Sequence, residues 1–455
     1  MRLLVIGGSD AGISAGLRAR ELDPTADVTL FVADTYPNYS ICGIPYHVFG
    51  DVLDWHNLAH RTTTDLETAG LQLRLGHRAV TIDPDAHTVT ATTPDGAPAT
   101  FDYDRLVIGT GAVPARPPIE GLDQLGAGDG VHVLHTMGDT FALLRSIEQR
   151  HATSAVIVGA GYIGLEMAEA LTTRGLHVTL LEQLDQVMPT IGPELAHPLA
   201  EHLRERGVTV HHGTKVHAIS AADGGLTVGT DTGEHHGDVV LVVTGVRPDV
   251  RLAADAGATL GVRGAIAVDR TMRTNLPDIY AAGDCVHTYH RLLDRNVYLP
   301  LGSTAHKQGR VAGANALGGD AVFAGSLGTQ AVKVFDLVAA GTGLRDRTAR
   351  DAGFDPVTIA STADDHKAYY PGATPIQIRV TGDRSTGRLL GAQLLGHHGA
   401  EIAKRVDTYA TAISYGATVA DITDLDLSYT PPLGSPWDAV QIAATKWNRQ
   451  VLERP

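Results

Sequence analysis

Two glycine-rich turns, each set between a short apolar strand and a helix, constrain this chain more than any other feature. The first is Gly7-Gly8-Ser9-Asp10-Ala11-Gly12, after the run 2–6 and before a helical stretch over 11–22. The second is Gly159-Ala160-Gly161-Tyr162-Ile163-Gly164, after 155–158 and before a helix over 162–174. Strand-like runs follow at 27–32 and 177–181. Each unit therefore reads as strand, glycine turn, helix, strand. A turn of this kind lets backbone approach a pyrophosphate closely and offers it the positive end of a helix. Two such units about 150 residues apart imply two dinucleotide-sized modules with parallel sheets.

The turns differ in detail. In the first, Ser9 stands where the fingerprint wants its middle glycine, and Ser is small enough to keep the approach open. The strand-end carboxylate expected on a ribose is displaced, with Asp34 two residues past Val32. The second turn fits fully. Glu182 ends its second strand, where a carboxylate accepts from a ribose 2′-OH and repels a 2′-phosphate. Gln183, Leu184, Asp185 and Gln186 supply no arginine for such a phosphate, so NADH is expected over NADPH.

Short runs at 71–75, 79–82, 88–91 and 106–108 separate the two units. The second unit is followed by runs at 208–211, 216–219, 226–228 and 239–243. From about residue 327 the texture changes to strands at 330–335, 376–380 and 388–395 and a helix over 401–415, a third, α+β domain. The expected class is α/β: two Rossmann-like dinucleotide-binding domains with a C-terminal α+β domain.

Composition removes other classes. The 455 residues carry a formal charge of −15 and contain two cysteines, Cys42 and Cys285. A disulfide framework is excluded, and the acidic balance argues against nucleic-acid binding. No apolar run reaches the ~18 residues of a spanning helix, and the start lacks a signal-peptide pattern. A cytoplasmic protein with no membrane partner is expected. The 22 histidines occur partly as adjacent pairs such as His211-His212 and His235-His236. Neighbours on a strand point to opposite faces, so no metal site is expected. No G-x-S-x-G elbow marks a hydrolase.

Three more segments complete the pattern. Gly109-Thr110-Gly111-Ala112-Val113-Pro114 follows the strand at 106–108. Ile279-Tyr280-Ala281-Ala282-Gly283-Asp284 ends in a carboxylate on a glycine turn. Ser40-Ile41-Cys42-Gly43-Ile44-Pro45-Tyr46 places one thiol just after the first unit. Together with the two turns, in this order, they resemble the FAD and pyridine-nucleotide disulfide oxidoreductases. The lone cysteine before Gly-Ile-Pro-Tyr looks like the branch of coenzyme A disulfide reductases, persulfide or polysulfide reductases and NADH oxidases. The stretch from Asp426 to Pro432, followed by Trp437 and Asp438, is similar to that branch too.

The resemblance implies an FAD-binding domain from 1–112 and 246–320, an NAD(P)H-binding domain over 113–245 and a dimerisation domain over 327–455. It implies FAD contacts from Gly7, Gly8, Ser9, Ala11, Gly12, Asp34, Ser40, Thr110, Gly111, Gly283 and Asp284. It implies nucleotide contacts from Gly159, Gly161, Tyr162, Ile163, Gly164, Glu182 and Gly245, with Glu166 close to the nicotinamide. Cys42 would be the redox thiol, since a thiolate is the nucleophile of disulfide exchange. No second cysteine lies nearby in sequence, so it would cycle through a mixed disulfide, a persulfide or a sulfenic acid. Cys285, in the flavin turn, would be structural.

Tyr369, with Tyr370 as its competitor, and Tyr429 stand where coenzyme A disulfide reductases use tyrosines, Tyr429 reaching the other subunit of a homodimer. The expected reaction reduces a small disulfide, persulfide or polysulfide, coenzyme A-based in one version. The alternatives are an NADH oxidase and an electron transferase with idle Cys42.

Ile41 replaces the branch's asparagine beside the thiol. Asp10 stands where related oxidases carry a histidine; it can act as a base or simply complement the helix dipole. Arg18 and Arg20 could meet the 3′-phosphate of coenzyme A or form a solvated helix face. His306 and Lys307 are expected as packing and charge-balance groups.

Overall fold

In the computed structural model, which describes residues 1–222 and 224–452, three five-stranded sheets organise the chain. The first runs in the order Ile279–Ala281, Arg105–Ile108, Arg2–Ile6, Asp27–Val32, Leu71–Leu75, with every neighbour parallel. The second runs Thr209–His211, His177–Leu181, Ser154–Val158, Val239–Val242, Val131–His132, also all parallel. Buried on both faces, these strands are nearly continuous apolar runs such as RLLVI and SAVIV.

Each sheet begins at its centre and grows to both sides. Arg2–Ile6 lies between Asp27–Val32 and Arg105–Ile108, and Ser154–Val158 lies between His177–Leu181 and Val239–Val242. That reversal of strand order opens a crevice beyond the carboxyl ends of the central strands. The register brings distant segments to it. Ile6 pairs with Ile108, and Ile108 with Ala281, so the three segments after them share one sheet end. Val158 pairs with Leu181 and Val242, so the second turn, Glu182 and Gly245 share another.

The chain passes between the two sheets at Ala112–Pro114 and Val246–Pro248, which pair antiparallel. Each parallel sheet also carries a three-stranded antiparallel appendage. The third large sheet is antiparallel, in the order Gln330–Val334, Leu337–Gly343, Leu389–His397, Pro375–Asp383, Pro356–Asp364. The helix Ile402–Ser414 packs on it from Leu337–Gly343 and Leu389–His397, and the helix Ala439–Val451 from Pro356–Asp364 and Pro375–Asp383. Fully buried Trp447 donates its indole N–H to the Val357 carbonyl at 2.8 Å.

Several elements were absent from the sequence reading, among them the helices Met137–Gln149 and Pro193–Glu205. They also include the strands Pro98–Asp102, Gly233–Gly237, Leu337–Gly343 and Pro356–Asp364 and the helix Ala439–Val451. Leu337–Gly343 reads LVAAGTG, whose small residues conceal a strand that the flanking strands bury.

Candidate active site

The two glycine turns have the same internal geometry. Gly7 and Gly159 adopt φ of 125° and 107°, where only glycine is relaxed. A Cβ on Gly12 would lie 2.0 Å from the Gly7 carbonyl oxygen, and one on Gly164 would lie 1.9 Å from that of Gly159. The first glycine thus sets the chain direction and the last lets the helix start against it. Ser9 is extended, at φ −117° and ψ −164°, and Gly161 is extended too. That position needs no glycine for its own backbone, which explains how Ser9 stands there with the turn intact.

Around the first turn the separated segments meet. A Cβ on Gly7 would strike the Gly109 carbonyl oxygen at 2.1 Å, and one on Gly283 would sit 2.8 Å from the Ala11 methyl. Gly8 backs onto Val32 just as tightly. Thr110 Oγ1 donates to the Asp249 carbonyl at 2.6 Å, fixing the Thr110–Gly111 corner. Asp284 points its carboxylate into this region. Burial, and then the charge of Asp10, push its pKa up to about 6. Among the described residues no group donates to that carboxylate. A backbone-lined turn at a helix N-terminus beside an acceptor lacking donors fits the pyrophosphate and hydroxyls of a dinucleotide such as FAD. Asp34 is exposed and accepts the Tyr36 N–H at 2.8 Å, while Ser40 precedes the turn Ile41–Gly43.

In the second turn Glu182 does more than the sequence indicates. It is nearly buried, with Oε2 accepting the Ala160 N–H at 2.8 Å and Oε1 that of Leu184 at 2.9 Å. The carboxylate therefore braces the turn from below. Tyr162 shares a hydrogen bond with Thr190 at 2.9 Å, Ile163 is half-buried, and Gly245 follows Val239–Val242.

Cys42 lies in the short turn Ile41–Gly43, directly before the helix Ile44–Phe49. Pro45 in the first turn starts that helix and Gly50, at φ 107°, stops it. Its buried face, Ile44 and Val48, packs on Tyr162–Thr173 of the second unit. Arg174 caps it by donating to the Val48 carbonyl at 2.7 Å. The thiol is solvent-exposed, whereas Cys285 is wholly buried. Cys285 Sγ lies 3.3 Å from the Ala282 carbonyl oxygen, and burial pushes its pKa up to about 11.

The packing places Glu166 beside Cys42. Tyr46 donates to Glu166 Oε1 at 3.4 Å. Burial pushes the Glu166 carboxyl up to about 7, against the opposing effect of the Tyr46 hydrogen bond. One turn along the helix, buried Glu169 takes the ammonium of Lys333 and the Phe335 N–H, at 2.8 Å, from the third sheet. The Cys42 thiol is itself pushed up, first by desolvation and then by the charges of Glu166, Asp10 and Asp284.

Asp10 heads the helix Asp10–Leu22, with its Oδ1 3.4 Å from His306 Nε2 and His306 Nδ1 2.9 Å from Ser14 Oγ. Arg18 pairs with Glu21 at 2.9 Å. Arg20 donates to the Ala26 carbonyl at 2.7 Å, so its guanidinium is committed to the fold rather than held out for a phosphate.

Tyr369 and Tyr429, on loops about 60 residues apart, are both exposed, and they lie near enough for each phenol to act on the other. Neither hydrogen-bonds to Cys42 within the chain. Buried Arg405 ties their loops together, donating to the Asp365 carbonyl at 2.7 Å and to Asp438 at 2.9 Å. Among the described residues no group of three or more potential metal ligands occurs, and no helix is long and apolar enough to cross a membrane.

Residues 1–309 match the pyridine nucleotide-disulphide oxidoreductase domain, and residues 329–439 match the dimerisation domain of the same enzymes. The chain belongs to that family. It is an oxidoreductase of the class that works with FAD and NAD(P)H. It is 34% identical over 445 residues to the CoA-dependent NAD(P)H sulfur oxidoreductase of Pyrococcus furiosus, covering 97% of this chain and 98% of the relative. It is 31% identical over 446 residues to an NADH oxidase of Methanocaldococcus jannaschii, covering 98% of each. The solved structure of an NAD-dependent persulfide reductase from A. fulgidus superposes with a TM-score of 0.94 at 38% identity, covering 99% of this oxidoreductase and 83% of that chain.

The sequence reading of the oxidoreductase missed Tyr46 as a partner of Glu166, although it lies in the quoted Gly-Ile-Pro-Tyr segment. It also missed Glu169, Lys333 and Arg405, which no local pattern marks.

Proposed function

We propose that this oxidoreductase reduces a small disulfide, persulfide or polysulfide through Cys42, with NADH as its preferred electron donor, as a homodimer. The carrying observation is the pair of thiol environments. Cys42 is exposed beside Glu166, and Cys285 is buried against backbone carbonyls, so the working thiol takes its second sulfur from the substrate. The sulfur and persulfide reductase relatives support that acceptor class.

The first turn, with Thr110, Gly111, Gly283 and Asp284, would hold FAD; Asp34 and Ser40 are its outlying candidates. The second turn, with Tyr162, Glu182 and Gly245, would hold the nucleotide. These assign 1–112 with 246–320 to the flavin, 113–245 to NADH and 327–455 to the dimer contact. Bound FAD supplies the two-electron relay between pyridine nucleotide and sulfur. The protein's own task is sulfur chemistry. Cys42 Sγ, as thiolate, attacks the nearer sulfur of the substrate. A Cys42–sulfur bond forms, the substrate S–S bond breaks, and the outer sulfur leaves with the electron pair. That leaving sulfur needs a proton. Tyr369 and Tyr429, presented together by the second subunit, would supply it. Exposed Tyr369, Leu433 and Trp437 on the C-terminal unit support such a subunit contact. Glu182 and the absence of arginine at 183–186 support NADH over NADPH.

The test is anaerobic NADH-dependent turnover of polysulfide and coenzyme A disulfide by the wild type and Cys42→Ser. The wild type should turn over, and the variant should lose sulfur reduction while NADH still bleaches its flavin. Full sulfur turnover by Cys42→Ser would refute the reading. The NADH oxidase relative supports a second reading, in which Cys42 cycles through sulfenic acid. Oxygen consumption matching the best sulfur substrate would establish it.

A further inference from the structure

The loop 183–192 leads from Glu182 to the helix Pro193–Glu205, and together with Glu182 it is stitched to the second glycine turn at three points. Glu182 Oε2 accepts the Ala160 N–H at 2.8 Å, Met188 N–H donates to the Ala160 carbonyl at 2.8 Å, and Tyr162 bonds Thr190 at 2.9 Å. The two backbone groups of Ala160, the second residue of the turn, thus depend on Glu182 and on the loop that follows it. The loop is not a stable conformation by itself. Met188 is held at φ 46°, and Val187, Met188 and Ile191 are buried.

What holds its far side comes from the C-terminal domain. Gln393, on the central strand Leu389–His397, accepts the Gly192 N–H with Oε1 at 2.7 Å, inside the protein. Arg345 directs Nη1 between two carbonyl oxygens, Pro189 at 2.9 Å and Ile191 at 3.0 Å. Its guanidinium is half-buried near Tyr162. Each of these bonds spans more than 150 residues of sequence; the Gly192 N–H and the Pro189 carbonyl have no other partner among the described residues, while the Ile191 carbonyl also accepts from Gln186 Nε2 at 3.0 Å.

We infer that Arg345 and Gln393 are positioning residues of the pyridine-nucleotide site: they fix the loop 183–192, and through it Ala160, so nucleotide affinity depends on the docked C-terminal domain. This rests on the reading that the second turn binds NADH. Removing either side chain frees a buried backbone group, and the loop reorganises to reach water. The turn then samples geometries that do not fit a pyrophosphate.

The experiment measures NAD⁺ binding by titration calorimetry on FAD-loaded protein, with hydrogen exchange of the 186–192 segment as a second readout. Arg345→Met and Gln393→Leu should each weaken NAD⁺ by about tenfold, the loss expected for one buried hydrogen bond. They should also speed exchange at Gly192, with the flavin bleaching rate at saturating NADH unchanged. Arg345→Lys and Gln393→Glu, which keep a donor and an acceptor, should recover much of the affinity. Arg206→Ala breaks the 2.7 Å contact to Asp336 on the same domain seam without touching the loop, and it should leave binding unchanged. If Arg345→Met does not fold, the Gln393 pair and Arg345→Lys carry the test. Wild-type affinity in a folded Gln393→Leu or Arg345→Met, or an equal loss in Arg206→Ala, overturns the inference. A wild type that binds no NAD⁺ and is not bleached by NADH instead overturns the underlying assignment of the second turn.

Discussion

Glu182 invites a simple experiment with an outcome that is not simple. Strand-end carboxylates are commonly treated as selectivity elements alone, to be removed when NADPH is wanted. Here the carboxylate also accepts two backbone N–H groups, from Ala160 and Leu184, at 2.8 and 2.9 Å, and it is 7% exposed. Glu182→Ala strands both donors. An unsatisfied buried N–H costs about 1–3 kcal/mol, and bonds to a charged acceptor sit at the strong end. Water reaching the emptied space recovers part of that. A net loss of about 2–3 kcal/mol, expressed in nucleotide affinity, is roughly 30- to 150-fold. Glu182→Gln keeps one acceptor oxygen and should lose about tenfold. Both variants should narrow the NADH-to-NADPH ratio, since the charge opposing a 2′-phosphate is gone. Glu182→Ala should nonetheless bind both nucleotides poorly. The assay is anaerobic stopped-flow bleaching of the flavin against the concentration of each nucleotide. Wild-type NADH affinity in Glu182→Ala, or NADPH affinity rising to that of the wild type for NADH, would refute the bracing role.

Lys333→Met should leave the buried Glu169 carboxylate with only the Phe335 N–H and destabilise the protein by about 3 kcal/mol; pairing it with Glu169→Gln should restore most of the melting temperature. Cys285→Ser should retain sulfur turnover and cost about 1 kcal/mol, since a hydroxyl can donate to the Ala282 carbonyl that lies 3.3 Å from the sulfur; loss of turnover would give Cys285 a catalytic part. Glu166→Gln tests the carboxyl raised from 4.5 to about 7. The folded protein keeps that proton where the unfolded chain has released it, so stability falls as pH rises from about 4.5 through 7. The contribution is roughly 3 kcal/mol at about 1.4 kcal/mol per unit. Denaturant melts across pH 4–8 should show the wild type losing more stability with pH than Glu166→Gln, and parallel profiles would contradict the assignment.

What could be read from sequence was what local spacing encodes. A glycine turn between an apolar run and a helix fixes its own geometry, so both central strands, both helices and the thiol segment were visible. Tertiary pairing was not. Tyr46 meets Glu166 across 120 residues, and Gln393 meets Gly192 across 201. Neither partner carries a mark in its own neighbourhood. Arg20 shows the converse, because a basic residue on a helix near a nucleotide turn looks like a phosphate ligand until the fold directs it to Ala26. The strand Leu337–Gly343 was hidden for a related reason, since its alanines and glycines have little strand preference and its pairing comes from Gln330–Val334 and Leu389–His397.

The electrostatics around Cys42 define what the second subunit must contribute. Three charged groups act on the thiol, and all are carboxylates, from Glu166, Asp10 and Asp284. Two of them, Glu166 and Asp284, are themselves pushed up, to about 7 and about 6, chiefly by burial. As pH rises they ionise before the thiol does, and each new charge opposes the next ionisation. Within one subunit every charge acting on Cys42 therefore opposes formation of the thiolate, the form that attacks sulfur. Hydrogen-bond donors without charge offset this without pairing off the carboxylates, and phenolic hydroxyls are such donors. Exposed Tyr369 and Tyr429, on loops that Arg405 ties together, are suited to that task. On the proposed reading the C-terminal domain would complete the active site at both ends: its tyrosines would stabilise sulfur in the partner's site, while Arg345 and Gln393 would hold the nucleotide turn in their own.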